Sequence, residues 1–202
     1  MNNPSHAGLH ANMNDAMAAV QVAHGIFPPA VVTNCLGATM KDSDANGTVK
    51  TLSSGVSYLS GINIQAGVKI TNIWFQSAGA GSTITHMWAG LLDKTLVSPV
   101  LLASSPDLGA TPGTVAANTP ISSTLSTPFT TTYSGFYYLL LVITASTQPT
   151  WSCETALPSG RSGVAPIIGG PGMASVTSVA SYTQGGSIVP SAYGVRLLGW
   201  IN

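Results

Sequence analysis

Phe136-Tyr137-Tyr138-Leu139-Leu140-Leu141-Val142-Ile143 is the longest apolar run in the chain, and Thr144 ends it. A run this short cannot cross a bilayer, which takes ~20 apolar residues in a helix. It has no polar position at either the strand or the helix period, so it is apolar on both faces. In an all-β protein such a stretch marks a central strand covered on both sides. The expected covers are a second sheet on one face and another subunit on the other.

The surrounding sequence reads as further short strands. Val56 to Ser60 lies between Gly55 and Gly61. In Val68-Lys69-Ile70-Thr71, Val68 and Ile70 share a face, whereas Ile73 and Phe75 fall at the opposite parity; a β-bulge near Thr71-Asn72 reconciles the two. Thr83 to Leu92 alternates, with Ile84, His86, Trp88 and Leu92 on one side, and Asp93-Lys94 forms a hairpin tip leading into Leu96 to Leu102. Ser175 to Tyr182 and Tyr193 to Ile201 complete the strands, and the Pro- and Gly-rich stretch Leu157 to Gly172 reads as a long loop. Ten of the thirteen prolines fall in this part of the chain and disfavour helices there. The pattern predicts residues 51–202 to be one antiparallel β-sandwich of jelly-roll type.

Residues 1–50 read differently, as a helical arm and a connector. Asn3 caps and Pro4 opens a helix over residues 4 to 24, and Gly25 followed by Phe27-Pro28-Pro29 closes it. Leu9, Met13, Ala16, Val20 and Ala23 recur at spacings of 4, 3, 4 and 3, a heptad seam for oligomerisation or attachment. So thin a stripe is marginal in water and calls for a partner. The connector, residues 26 to 50, holds a short strand at Ala30 to Val32 and a turn-forming Lys41-Asp42-Ser43-Asp44-Ala45-Asn46-Gly47.

Composition limits function. Only 6% of the 202 residues are charged, against about 25% in an average domain, and net charge is zero. Six scattered Lys and Arg residues make no basic stripe, so neither nucleic acid nor an anionic membrane is an expected partner. The opening residues lack the basic and apolar regions of a signal peptide, so the chain is expected to be made in the cytoplasm without membrane insertion. Ser, Thr, Asn and Gln must keep the surface wet, and neutral surfaces associate readily.

Chemical motifs are few. Asp42-x-Asp44-x-Asn46-Gly47 begins like a calcium loop, but Ser53 stands where the bidentate Glu is needed. His6 and His10 sit four apart with Asp15 nearby, a spacing that serves capping or inter-subunit hydrogen bonds more often than a metal. His86, on an apolar strand face, reads as a core or interface histidine. Of the carboxylates Asp93, Asp107 and Glu154, a turn explains Asp93 and a loop after Pro106 explains Asp107, so no hydrolytic pair is signalled, and no GxSxG elbow occurs. No metal, cofactor or catalytic residue is therefore expected. Cys35 and Cys153 read as buried free thiols, with a disulfide formed after release from a cell as the rival reading. Of four tryptophans able to stack on sugars, Trp74, Trp88 and Trp200 fall within strand patterns. Trp151, after Gln148-Pro149-Thr150, falls in a loop and is the candidate ligand-facing aromatic.

Two segments carry a resemblance. His6-Ala7-Gly8-Leu9-His10, Asn14-Asp15-Ala16 and Ala19-Val20-Gln21, with Gly25-Ile26-Phe27-Pro28 in place of a Gly-x-x-Pro turn, resemble the short helical segment of minor tail and other virion proteins of phages infecting actinobacteria. Gly67 to Phe75, Thr85 to Asp93 and Pro128 to Tyr138 are similar to a β-sandwich module of the same phages' tail and head-surface proteins. The resemblance implies a virion-exterior structural protein, in the tail or decorating the capsid. It implies self-assembly, with a trimer favoured, and docking to other virion proteins; it brings no catalytic residues. The alternative is a module whose loops bind a host-surface glycan.

Overall fold

The computed structural model describes residues 35–39, 48–93, 100–109, 113–154, 169–171 and 196–202. In chain order the strands are β1 (Gly37–Ala38), β2 (Val49–Thr51), β3 (Ser57–Ile64), β4 (Lys69–Gly79), β5 (Gly81–Leu92), β6 (Leu101–Ser104), β7 (Thr114–Val115), β8 (Pro120–Thr130), β9 (Gly135–Thr147), β10 (Thr150–Glu154), β11 (Gly169–Pro171), β12 (Arg196–Leu197) and β13 (Gly199–Ile201). They form two antiparallel sheets, and the described residues are mainly β. The first sheet runs β1-β13-β4-β10-β12, with β8 on β4 and β2 on β10; the second runs β11-β3-β9-β5-β6, with β7 on β5.

The apolar run at 136–143 lies in β9, the centre of the second sheet. It pairs with β3 from Ser57↔Val142 to Ile64↔Gly135, and with β5 from Ser82↔Thr147 to Leu92↔Tyr138. Side chains alternate across a strand, so Tyr137, Leu139, Leu141 and Ile143 enter the core shared by the sheets. There they meet Ile70, Ile73, Phe75 and Trp151 from the first sheet. Tyr138, Leu140 and Val142 join Leu59, Trp88 and Leu92 on the opposite face. Every residue from Tyr137 to Ile143 is no more than 1% exposed within the single chain. β9 is central, as its sequence implies, but it presents no bare apolar face for a second copy to cover.

Two strand irregularities decide which side chains face inward. In β4 the N–H groups of both Thr71 and Asn72 donate to the Asn202 carbonyl, at 2.7 and 3.0 Å. This is a β-bulge, and it brings Ile70, Ile73 and Phe75 to one buried face as the parity argument requires. In β5 the register shifts between Ile84 and His86. Ile84 therefore joins Met87, Ala89 and Leu91 in the shared core, rather than His86, Trp88 and Leu92 as simple alternation suggests.

Several boundaries also differ from the sequence reading. β3 continues through Gly61, because its ladder to β9 holds on both sides of the glycine. Gly169–Pro171, inside the stretch read as a loop, adds β11 to the edge of β3; backbone pairing needs no particular side chain, and a terminal Pro is tolerated at an edge. Strands β1 and β2 fall within the stretch read as connector, so the first sheet begins before residue 51. The closing strand is two pieces, β12 on β10 and β13 on β4, parted at Leu198. β5 and β6 pair antiparallel, with Asp93 Oδ1 accepting the Val100 N–H at 3.0 Å, but β6 is Leu101–Ser104 rather than Leu96 to Leu102, and residues 94–99 lie outside the described residues. The helix over residues 4 to 24, its seam at Leu9, Met13, Ala16, Val20 and Ala23, the His6–His10 pair, Ala30 to Val32, the Asp42–Gly47 turn and Ser175 to Tyr182 lie outside the described residues. Among the described residues no helix is long and apolar enough to cross a membrane.

Both faces of β9 are tested by truncation. Leu141→Ala and Leu140→Ala each remove a fully buried side chain, and each is expected to cost ~2–5 kcal/mol in urea unfolding. Because one chain shields both faces, the Leu140→Ala loss is expected to be the same at every protein concentration. A loss that grows on dilution would show that another copy covers that face.

Candidate functional site

Trp151 does not face a ligand. It is the second residue of β10, paired to Lys50 and Ser77, and it is 0% exposed. Its ring meets Phe75 edge-on, with centroids 6.3 Å apart and planes at 81°. Pro149 suggests a loop, but the ladder to β2 and β4 starts at the next residue and turns the indole into the core.

Trp74 is the tryptophan that the first sheet presents outward. After the bulge at Thr71-Asn72, Ile73 and Phe75 point into the core, so Asn72, Trp74 and Gln76 point away from it. Trp74 pairs with Trp200 on β13 and with Ser122 on β8. The two indoles stack, with centroids 6.1 Å apart and planes at 5°. Trp200 is fully buried beside Leu198, Cys35 and Ala38, whereas Trp74 stays partly exposed. The Trp74 Nε1–H donates to Asn202 Oδ1 at 3.3 Å. Asn72 Oδ1 accepts from Thr124 Oγ1 at 2.7 Å, and Asn72 Nδ2 donates to Thr71 Oγ1 at 3.0 Å. The result is an uncharged row of amides and hydroxyls around a held indole.

A second cluster sits on the outer face of the other sheet. His86 keeps the face of Trp88 and Leu92, as alternation implies, but it is 47% exposed and so is not a core histidine; the register shift beside it turns Ile84, not His86, to the other face. Its Nδ1 lies 2.6 Å from Asp107 Oδ2, and its ring stacks on Trp88 with centroids 5.2 Å apart. Asp107 also accepts the Met87 and Gly109 N–H groups at 3.0 and 2.9 Å. A Cβ at Gly109 would collide with the His86 backbone, so only glycine lets this loop dock so closely. Partial burial alone raises the Asp107 carboxyl, but hydrogen bonds from His86, Met87 and Gly109 outweigh it and hold the carboxyl below its ordinary 3.8. An ionised carboxylate only accepts, so Nδ1 carries the hydrogen of this bond. Among the described residues no group of three His, Cys, Asp or Glu is placed to hold a metal ion beside it.

Between β6 and β8 lies an open groove of about 320 Å³, lined by Leu101 to Ser104 and Ser126 to Phe129. Its lining carries hydroxyls and apolar groups but no charge. Cys35 and Cys153 are free; Cys153 is buried as read from the sequence, whereas Cys35 is only half-buried. They lie in different clusters, Cys35 with Trp200 and Cys153 in the shared core. Burial raises both thiols, Cys153 from 9.0 to about 11 even with Lys50 opposing the shift.

Sequence reasoning missed Trp74 although the signal was available, since Ile73 and Phe75 pointing inward obliges Trp74 to point outward. No signal joins His86 to Asp107, which only folding brings together.

Two titrations check these environments. Raising pH from 9.0 toward about 11 ionises the Cys153 thiol of the unfolded chain but not that of the folded one, so stability is lost across that window; Cys153→Ala is expected to lack this loss, read by urea unfolding. The depressed Asp107 carboxyl stabilises above its unfolded pKa, and that contribution is lost as pH falls below 3.8. The stability gap between wild type and Asp107→Asn is therefore expected to narrow as pH falls below 3.8. No protein-family model matches the chain, and no curated protein matches it either.

Proposed function

We propose that this chain is a non-enzymatic structural component of the exterior of a phage virion, in a minor tail or fibre position or decorating the capsid. Its β-region is a jelly-roll-like sandwich carried on an N-terminal helical arm. The arm self-associates through Leu9, Met13, Ala16, Val20 and Ala23, with a trimer as the favoured arrangement, and docks to other virion proteins. The observation that carries this reading is the neutral, hydroxyl-rich surface. The exposed positions of β8 include Ser122, Thr124, Ser126, Thr127, Pro128 and Thr130, without a charge among them. A surface of this kind does not repel its own copies, which suits a component packed repeatedly on one particle. The sheet edges give further support. β1, β2, β6, β7, β11 and β12 are each four residues or shorter, and β8 carries Pro120 and Pro128. Short and proline-bearing edges resist uncontrolled strand addition, so assembly falls to the helical arm.

The test is the particle. Reconstruction of purified virions is expected to place the two-sheet domain on the outer surface, with copies related by symmetry. Substituting Leu9, Met13 and Val20 together by Ser is expected to abolish self-association of the full chain in analytical ultracentrifugation while leaving it folded. A chain absent from purified particles overturns the proposal.

A further inference from the structure

We propose that the outer face of the first sheet binds a sugar ring of an uncharged glycan in a slot between the Trp74 indole and the Ser122 position of β8. This goes beyond the virion reading and stands without it. The cross-strand register provides the geometry. Trp200 and Ser122 flank Trp74 on opposite sides, and directly opposed residues of antiparallel strands share a face. Trp200 stacks against one face of the Trp74 ring. Ser122 stands on the side of Trp74 away from Trp200; it is exposed and carries the smallest side chain that still bears a hydroxyl. An indole face is electron-rich and meets the weakly positive C–H face of a pyranose favourably. Stacking on Trp200 and the Nε1–H bond to Asn202 hold the ring before a ligand arrives, so little rotamer freedom is lost on binding.

The flanking groups suit a sugar's rim. Asn72 and Thr124 stand opposite one another on one side of the slot, and Gln76 stands opposite Pro120 on the other. Amides and hydroxyls both donate and accept, as sugar hydroxyls do. Charge selects the class of glycan. Residues 72–76 of β4, 120–124 of β8 and 198–202, which include β13, contain no Asp, Glu, Lys or Arg. An anionic polysaccharide would want Arg or Lys here, and none is present among the described residues of this face. Among the described residues β8 pairs only with β4, so the slot opens laterally and admits a ring within a longer chain.

The experiment is saturation-transfer NMR on the full chain with neutral hexasaccharides (maltohexaose, cellohexaose, fully acetylated chitohexaose and mannohexaose), and with hexameric alginate as the anionic comparison. At least one neutral hexasaccharide is expected to bind, and alginate is not. Trp74→Ala and, independently, Ser122→Leu are each expected to weaken binding at least about tenfold. The Ser122 variant fills the slot from an exposed position, so it tests the site even if loss of Trp74 disturbs the sheet. Trp74→Phe is expected to retain part of the affinity, and His86→Ala all of it. No binding of any neutral hexasaccharide up to roughly 10 mM, preference for alginate, or binding that survives Ser122→Leu overturns the proposal. A Ser122-dependent self-association without glycan binding also overturns it, and marks the face as a contact between copies.

Discussion

The hydrogen-bond ladders on either side of β9 are what the rest of the structure depends on. Nearly all of their energy is non-local: Ile64 pairs with Gly135, 71 positions later, and Ser57 with Val142. Closing such loops costs entropy before any contact repays it, so the strand must offer enough burial on both faces to hold both neighbours. It does, with seven consecutive shielded side chains from Tyr137 to Ile143. Once β3 and β5 are seated on it, their outer edges position β11 and β6. The inward half of its side chains then forms the floor on which Ile73, Phe75 and Trp151 of the first sheet rest.

Within that frame, both candidate surfaces arise at strand irregularities. The shared Asn202 carbonyl at Thr71 and Asn72 rotates the following residues so that Asn72, Trp74 and Gln76 face outward. The register shift after Ile84 turns Ile84 into the shared core and leaves His86 on the outer face, where the Asp107 loop reaches it. A regular strand would have kept each residue in simple alternation with its neighbours. An inserted bulge re-aims a side chain while leaving the flanking ladder paired, which is why such positions recur beside binding surfaces. The two surfaces differ in character. One is an uncharged aromatic row, and the other is a histidine whose orientation is set by a carboxylate held by three donors.

The neutrality of the chain shapes its interactions at every level. Few ion pairs are available, so loops are tied by hydroxyls and amides: Thr131 Oγ1 bridges Gln65 and Val68, Ser77 Oγ reaches the Ala116 and Thr119 carbonyls, and Thr39 Oγ1 reaches Leu197. Such bonds contribute about 0.5–1.5 kcal/mol each and are insensitive to salt. Recognition by such a surface rests on shape and hydrogen bonding rather than long-range attraction, in keeping with an uncharged glycan or another neutral protein as partner.

Much of the architecture was legible before folding was considered. An apolar run with no polar phase had to be a doubly covered strand, the parity break between Ile70 and Ile73 required a bulge, and Asp93 marked a hairpin. Each of these follows from the two-residue period of a strand or from turn chemistry, both local properties of the backbone. The tertiary structure alone decided that Trp151 is buried while Trp74 is partly exposed, that Gly169–Pro171 becomes a strand, that His86 meets Asp107, and that one chain shields both faces of β9. Those outcomes depend on which distant segment lies alongside, and a periodicity records which side a residue points to but not what waits there.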